Sequence, residues 1–286
     1  AQRLYEGLNI GDQGLVGLIT YMRTDSVRVA EEAIFRGRKY IRENFAAEYL
    51  PKKPRFYKNK RKAQDAHEAI RPTTFSLPPE TVKPYLKKDE YSIYSLVWNR
   101  FIASQMSSAL VEETEFEIRA SKYLFKAKGE VIKFDGFLIL YPGLKKEDKI
   151  LPKAEVGEQL KLIDLESKQN FTQPPPRYTE GTLVRELEAR GIGRPSTYAP
   201  IISTLQDRVY VIKDKGKFIP TDLGMFVTDF LTKYFPDLME FKFTARLEEE
   251  LDRISEGELD WLTYLKSYYL LLDKDLDKAE NVEGVK

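Results

Sequence analysis

The apolar residues of this 286-residue chain change their spacing twice, and this change most limits the folds available to it. Up to about residue 106, and again from about residue 177, they recur every three or four positions, which indicates helices packed on a core. Between these regions, residues 113–139 and 159–165 alternate between apolar and polar side chains, which indicates β-strands. The pattern predicts a multidomain α+β protein, in which mainly helical domains flank an all-β unit.

The predicted domain boundaries lie where the spacing changes. They give a helical domain at residues 1–106, an all-β unit at 107–176 and a second helical domain at 177–286. Three consecutive prolines at 174–176 form a stiff connector at the second boundary. A chain of 286 residues is longer than most single domains, which agrees with two or three units.

Composition excludes several kinds of site. The chain has no cysteine and a single histidine, His67, which excludes a disulfide framework, a zinc–thiolate site and a multi-histidine metal site in this stretch. No apolar run approaches the roughly 18 residues of a membrane-spanning helix, so we expect no membrane partner. Lys and Arg number 46 against 45 Asp and Glu, so the net charge of +1 gives no overall bias towards nucleic acid.

Charge is nevertheless segregated along the chain. Residues 52–62 contain seven basic residues and no acidic one, whereas residues 248–260 contain seven acidic residues and one arginine. A basic segment can face phosphates even on a neutral molecule. On sign alone, a solvated loop and a solvated helix face remain the simpler interpretation.

The first domain is predicted to contain a strand, a tight turn and a helix. Residues 15–21 (LVGLITY) form a short apolar run typical of a buried strand. Tyr21 and Arg23 are two residues apart at its end, so in extended backbone both side chains point to the same side. A phenol, a guanidinium and a nearby helix N-terminus suit a phosphate. Three plausible N-caps for that helix follow the strand: Thr24, Asp25 and Ser26.

Tyrosine alone is a weak signal for a nucleophile. An unperturbed tyrosine has a pKa near 10 and is about 0.1% ionised at pH 7, so attack needs its proton removed or its developing charge stabilised. Tyr21 is also one of 17 tyrosines, and an amphipathic core residue is the commoner interpretation.

Two further residues have both a chemical and a structural interpretation. His67, four residues before Arg71 in AHEAIRPT, can donate a proton or hydrogen bond to a phosphate, or simply bond a carboxylate such as Glu68. Asp25 can orient Arg23 or His67, or only cap a helix.

The last domain contains a helix, a glycine turn, a second helix and two strands. Thr179 is a suitable N-cap, Gly191 a suitable C-terminal residue, and the second helix is predicted to begin near Ser196. Strands are predicted at 209–213 and 217–220, and this order is that of a winged helix-turn-helix. Packed helices with a hairpin and no DNA partner are equally compatible with it. The turn between the helices carries Arg194, and the two strands with the loop between them carry Lys213, Lys215 and Lys217.

Five segments, in order along nearly the whole chain, resemble type IA DNA topoisomerases. They are GLITYMRTDS (17–26), DAHEAIRPT (65–73), ASQM (103–106), YTEGTLVRELEARGIGRPSTYAPIISTLQDRVYV (178–211) and FTARLEEELDRISEG (243–257). Met22 after the tyrosine resembles the bacterial topoisomerase I branch, because topoisomerase III usually has proline there and reverse gyrase histidine.

The resemblance implies a role for each candidate residue. Tyr21 matches the nucleophile that becomes joined to the 5′ phosphate of one DNA strand. Another strand then passes through the break, and the break is resealed without ATP. Arg23 matches the arginine that holds the scissile phosphate, with His67 and Asp25 in support. The positions matched to DNA contacts are Arg71, Arg194, Ser196 and Thr197.

The resemblance also implies a wider organisation. By the family's layout, residues 1–106 resemble the tyrosine-bearing gate domain, residues 107–176 the β-strand arch, and residues 177–286 the winged-helix-like DNA-binding domain. The family's magnesium-binding toprim domain and the first strands of the arch are expected to precede Ala1. We therefore expect no metal in this chain and little cleavage by it alone. The expected partners are that domain, single-stranded DNA and negatively supercoiled DNA at the bacterial nucleoid in the cytoplasm. Two alternatives remain: a non-catalytic winged-helix DNA-binding module, and a scaffold that binds protein through the arch.

Overall fold

The computed structural model describes residues 1–24, 26–57, 68–145 and 147–280. The chain forms two compact units, Ala1–Glu166 and Ser167–Lys286. It is a mixture of helices and antiparallel strands, as the sequence predicts. The three-domain division at 106 and 176 stays a prediction.

The first unit combines a helical core with a long hairpin. Its helices are α1 (Gln2–Glu6), α2 (Glu31–Asn44), α3 (Pro79–Val82) and α4 (Lys88–Gln105). Its strands are β1 (Leu8–Asn9), β2 (Leu15–Val16), β3 (Leu110–Ala120) and β4 (Tyr123–Phe134). β1 pairs with β2, and β3 with β4, both antiparallel.

Helix α4 forms the centre of the core, but only part of the predicted face is buried. The sequence placed Ile93, Leu96, Val97, Phe101 and Ile102 inward, whereas Leu96 is 70% exposed. The buried positions include two aromatic residues, Tyr94 and Trp98, beside Phe101 and Ile102. Apolar residues occur on more than one side of α4, and the large aromatic rings, which remove most surface from water, occupy the inner side.

The helix after the first strand begins later than predicted. α2 begins at Glu31 with Ala30 at its N-cap, so the prediction of a cap at Thr24 or Ser26 is wrong. The Ser26 hydroxyl instead accepts a hydrogen bond of 3.2 Å from the Arg28 N–H. Such local bonds compete with helix formation and leave the preceding segment irregular. Asp25 lies outside the described residues.

The hairpin β3–β4 follows the predicted alternation only to Phe134. Beyond it, residues 136–140 form a 3₁₀ turn, because Gly136 has φ of 50° and the Phe137 N–H donates to Ser107 O at 2.9 Å. The predicted strand at 159–165 is wrong: those residues are exposed and adopt no strand. A strand needs a hydrogen-bonded neighbour, and the sheets of the described residues provide none there.

The second unit is mainly helical. Its helices are α5 (Glu180–Arg190), α6 (Tyr198–Asp207), α7 (Asp222–Tyr234), α8 (Pro236–Met239), α9 (Phe241–Ser255) and α10 (Trp261–Glu280). Its strands, β5 (Val211–Asp214) and β6 (Lys217–Pro220), form an antiparallel hairpin. In the described part of the chain, no helix has the length and apolar character needed to cross a membrane.

The predicted helix ends of this unit are confirmed. The Thr179 hydroxyl accepts a hydrogen bond from the Thr182 N–H at 3.2 Å, and Gly191 ends α5 with φ of 77°. The first hairpin strand begins at Val211 rather than at Val209, because Val209 has φ of 56° after α6. A left-handed residue cannot continue an extended strand.

Candidate DNA-cleavage site

A groove of about 420 Å³ opens in the first unit beside Tyr21. It is lined by Tyr5, Gly17, Ile19, Thr20, Tyr21, Glu68 and Thr73. The lining therefore combines two of the segments that carry the family resemblance with one residue of α1. The tertiary fold joins parts of the chain about 50 residues apart.

The groove exists because residues 17–20 run antiparallel to residues 71–73. Ile19 forms a β-bridge with Pro72, the Thr20 N–H donates to Arg71 O at 2.9 Å and the Thr73 N–H donates to Leu18 O at 3.1 Å. Leu18 and Ile19 are buried in the core below. Burial of these apolar side chains thus fixes one side of the paired segments, and the other side faces the groove.

Two threonine hydroxyls reinforce the pairing. Thr20 Oγ1 donates to Ala69 O and accepts from the Arg71 N–H, each at 3.0 Å. Thr73 Oγ1 donates to Gly17 O at 2.7 Å. The segment that ends at Tyr21 is therefore held by side chains as well as by backbone.

Tyr21 lies at the rim of the groove with half of its surface exposed. Its ring meets the ring of Tyr5 edge-on, with centroids 5.4 Å apart and an angle of 65° between the planes. The condition of extended backbone from Tyr21 to Arg23 is not met, because the Arg23 N–H donates to Tyr21 O at 3.0 Å in a tight three-residue turn. The alternation rule therefore does not decide where the two side chains point.

Arg71 forms a planar pair with Glu68. Its Nε and Nη2 donate to the two carboxylate oxygens of Glu68 at 3.1 and 2.7 Å, and its Nη1 donates to Pro72 O at 2.9 Å. Glu68 also accepts a bond of 3.2 Å from the Ala30 N–H, ahead of α2. The Arg71 side chain is only 14% exposed, so its contacts are those of a structural clamp. Its predicted contact with DNA stays a prediction.

Other predicted residues of this site lie outside the described residues. These are Asp25, His67 and the basic residues Lys58, Lys60, Arg61 and Lys62. Of the basic segment at 52–62, Arg55 is described, and its Nη2 donates to Ser108 Oγ at 2.9 Å. The roles predicted for Asp25 and His67 stay predictions.

The second unit holds the other predicted DNA contacts, in the turn between α5 and α6. The Arg194 N–H donates to Thr197 Oγ1 at 2.8 Å, which folds the turn, while Ser196 is exposed. The Arg194 guanidinium donates to Gly193 O at 2.9 Å and, from Nη2, to Asp252 Oδ2 at 2.7 Å. Glu248 lies 3.5 Å from its Nη1.

These acids determine the charge state of Arg194. Burial lowers the pKa of Arg194, but the hydrogen bond that it donates to Asp252 and the nearby charges of Asp252 and Glu248 outweigh burial, so the pKa is raised overall. The guanidinium is therefore a permanent cation already paired with carboxylates on α9. The sequence-predicted residues form two groups, one in each unit.

The described residues do not fit a magnesium site. They contain no group of three histidine, cysteine, aspartate or glutamate side chains that could hold a metal ion. Glu68, the acid in the groove lining, already has both carboxylate oxygens bonded to Arg71.

Sequence reasoning missed part of the groove lining. Thr20 and Thr73 lie inside the two resemblance segments, and this position is the sequence signal that could have identified them as groove residues. Glu68 entered only as a possible partner of His67. Tyr5 gives no local signal, because its place beside Tyr21 depends on the packing of α1.

Comparison with known proteins identifies the family of this chain. The family model described as DNA topoisomerase matches residues 1–266, and the chain belongs to this family. The relatives it matches are bacterial: it is 46% identical over 286 residues to DNA topoisomerase 1 of Vibrio cholerae. It is 48% identical over 281 residues to DNA topoisomerase 1 of Campylobacter jejuni.

The chain matches only part of each relative. It spans 32% of the Vibrio cholerae protein and 40% of the Campylobacter jejuni protein, with 100% and 98% of its own length covered. The structure of full-length topoisomerase I from Thermotoga maritima is similar, with a TM-score of 0.83 and 37% identity. That match covers 98% of this chain and 46% of the Thermotoga maritima chain.

Proposed function

We propose that this chain supplies the nucleophile and part of the DNA-binding surface of a topoisomerase that cleaves one DNA strand. The observation that carries the proposal is the half-exposed Tyr21 at the rim of the groove formed by the two resemblance segments. A tyrosine buried as a core residue, the competing interpretation, would show neither feature.

In the proposed reaction, the Tyr21 oxygen attacks the phosphorus of a backbone phosphodiester. The bond from phosphorus to the 3′ oxygen breaks, the phenol loses its proton, and the 3′ oxygen leaves with a proton as a free hydroxyl. The 5′ phosphate is then joined to Tyr21, and attack by the 3′ hydroxyl reverses the step. One ester replaces another, so no ATP is required and strand passage can relax negative supercoils.

The other predicted residues have supporting roles in this proposal. Arg23 holds the scissile phosphate, with His67 and Asp25 beside it, and the α5–α6 turn with Arg194, Ser196 and Thr197 contacts the unpaired strand. A toprim domain of the whole protein would bind Mg²⁺, and the whole protein would act on negatively supercoiled DNA at the nucleoid.

A labelled oligonucleotide tests the proposal directly. The full-length protein that contains this chain is mixed with single-stranded DNA labelled at its 3′ end, and the complex is denatured. We expect label to remain on the protein, on the peptide that contains Tyr21, and to be absent with Tyr21→Phe. Covalent label retained by Tyr21→Phe would contradict the assignment.

The alternative of a non-catalytic winged-helix module has one observation in its favour. Helices α5 and α6 are followed by the hairpin β5–β6, whose loop exposes Lys215. This module would bind duplex DNA, depend on Arg194 and the hairpin lysines, and be indifferent to Tyr21. Comparing the affinities for single-stranded and duplex DNA separates the two proposals.

A further inference from the structure

We propose that Tyr5 is a positioning residue that holds the ring of Tyr21 in the orientation from which its hydroxyl attacks DNA. The inference rests on the proposed function, because it concerns the same groove. It assigns a task to a residue of α1, which lies outside all five resemblance segments.

The backbone that carries Tyr5 is fixed on both sides. Leu4 is fully buried, and its carbonyl accepts a hydrogen bond of 2.7 Å from the Leu18 N–H. Arg3 Nη1 lies 2.7 Å from Oε1 of Glu90 in α4, and the Glu90 side chain is only 13% exposed. α1 is a short helix, so these tertiary contacts rather than helix propensity hold it in place.

Close approach of two backbones brings Tyr5 beside the segment that ends at Tyr21. A Cβ atom on Gly17 would lie 2.5 Å from Tyr5 O, which no side chain allows. Glycine at position 17 therefore lets α1 lie directly against residues 17–20. The separation between the two tyrosines is set by this contact.

The contact between the two rings has little value as core packing. Tyr5 is 41% exposed and Tyr21 is 50% exposed, so neither ring is a buried core residue. The edge-on arrangement at 5.4 Å is nevertheless a favoured aromatic geometry. An exposed tyrosine at the end of an irregular segment can adopt several rotamers, and a fixed neighbouring ring restricts them. Orientation of the attacking group is a large contribution to catalysis.

Single-turnover formation of the covalent adduct on single-stranded DNA tests this role in the full-length protein. For Tyr5→Leu we expect the rate at saturating DNA to fall about tenfold or more, because orientation is lost. The half-saturating DNA concentration should stay within about twofold, because Tyr5 does not need to touch DNA. Tyr5→Phe keeps the ring and should retain the wild-type rate. Tyr123→Leu is the matched control, since Tyr123 is an exposed tyrosine of the same unit outside the groove lining.

Three outcomes would overturn the inference. An unchanged rate for Tyr5→Leu would show that the ring does not orient Tyr21. A raised half-saturating concentration at an unchanged rate would make Tyr5 a stacking surface for a base instead. Loss of rate in Tyr5→Phe would assign the effect to the hydroxyl rather than to the ring.

Two measurements keep the result interpretable. Thermal unfolding of each variant identifies any that fails to fold, and Tyr5→Met, which also lacks the ring, repeats the test with a flexible side chain. If Tyr21→Phe still forms the adduct, the proposed function fails. If Tyr21→Phe is inactive and Tyr5→Leu is normal, only the inference about Tyr5 fails.

Discussion

Arg194 is bound by Asp252 across 58 positions of sequence, with Nη2 donating to Oδ2 at 2.7 Å. The turn that was predicted to contact DNA is therefore linked to the acidic helix α9. A phosphate that binds Arg194 must compete with Asp252, and with Glu248 at 3.5 Å. The acidic segment at 248–260, which had the simplest interpretation as solvated surface, thus contacts a candidate DNA-binding residue.

This competition predicts that Asp252→Asn strengthens the binding of single-stranded DNA. Removing the carboxylate charge frees the guanidinium for a phosphate, and we expect the dissociation constant to fall roughly fivefold, about 1 kcal/mol. Fluorescence anisotropy with a labelled oligonucleotide at fixed salt measures this dissociation constant. Glu249→Gln, an equal charge change at an exposed position of α9, is the control. Equal effects of both variants would attribute the gain to net charge alone.

The clamp between Arg71 and Glu68 predicts a loss of stability from Arg71→Ala. The two carboxylate oxygens of Glu68 and the carbonyl of Pro72 lose their donors, and Glu68 is left partly buried. We therefore expect the free energy of unfolding to fall by about 2 kcal/mol. Urea unfolding measures this value. Arg36→Ala removes an exposed pair at 3.8 Å and should cost less than about 0.5 kcal/mol. If both variants were equally stable, the clamp would have no structural role.

A hydrogen-bonded group at the base of the hairpin predicts a pH-dependent contribution to stability. Asp135 accepts hydrogen bonds from Lys145 Nζ at 2.6 Å and from the Tyr49 hydroxyl at 2.7 Å. The bond from Lys145 and then the bond from Tyr49 lower the pKa of Asp135. The hydrogen bond to Asp135 in turn raises the pKa of Tyr49.

The direction of this pH dependence follows from the lowered pKa of Asp135. The folded state holds the Asp135 proton less tightly than the unfolded state, so the stabilisation is complete above the unfolded pKa of about 4 and is lost as pH falls through the folded value. Asp135→Asn should therefore lower the urea midpoint at pH 7, and its difference from wild type should shrink below about pH 4. Asp164→Asn, at an exposed aspartate of the same unit, should show no such change. A difference that stays constant with pH would contradict the assigned pKa.

Local signals in the sequence predicted the helix ends of the second unit well. Thr179 and Gly191 both lie at the helix ends where their side-chain or backbone chemistry placed them. A cap acts over three or four residues, so a local pattern contains the whole interaction. The same holds for the hairpin β3–β4, whose alternation is visible up to Phe134.

Predictions failed where a partner distant in sequence decides the structure. The inner face of α4 and the absence of a strand at 159–165 both depend on what the segment packs or pairs with. Apolar residues at every third or fourth position indicate an apolar stripe on a helix. Where one helix has two such stripes, the spacing does not show which of them is buried. Alternation marks a possible strand, but a strand exists only beside another.

The sequence by itself determined the α+β class and singled out Tyr21, because motif order and periodicity are written along the chain. Only the tertiary structure brought Tyr5, Thr20, Glu68 and Thr73 around Tyr21, and Asp252 to Arg194. Burial of Leu4, Leu18 and Ile19 in one core joins distant segments, and burial of apolar surface is non-directional, so it leaves no local signature at the residues that it brings together.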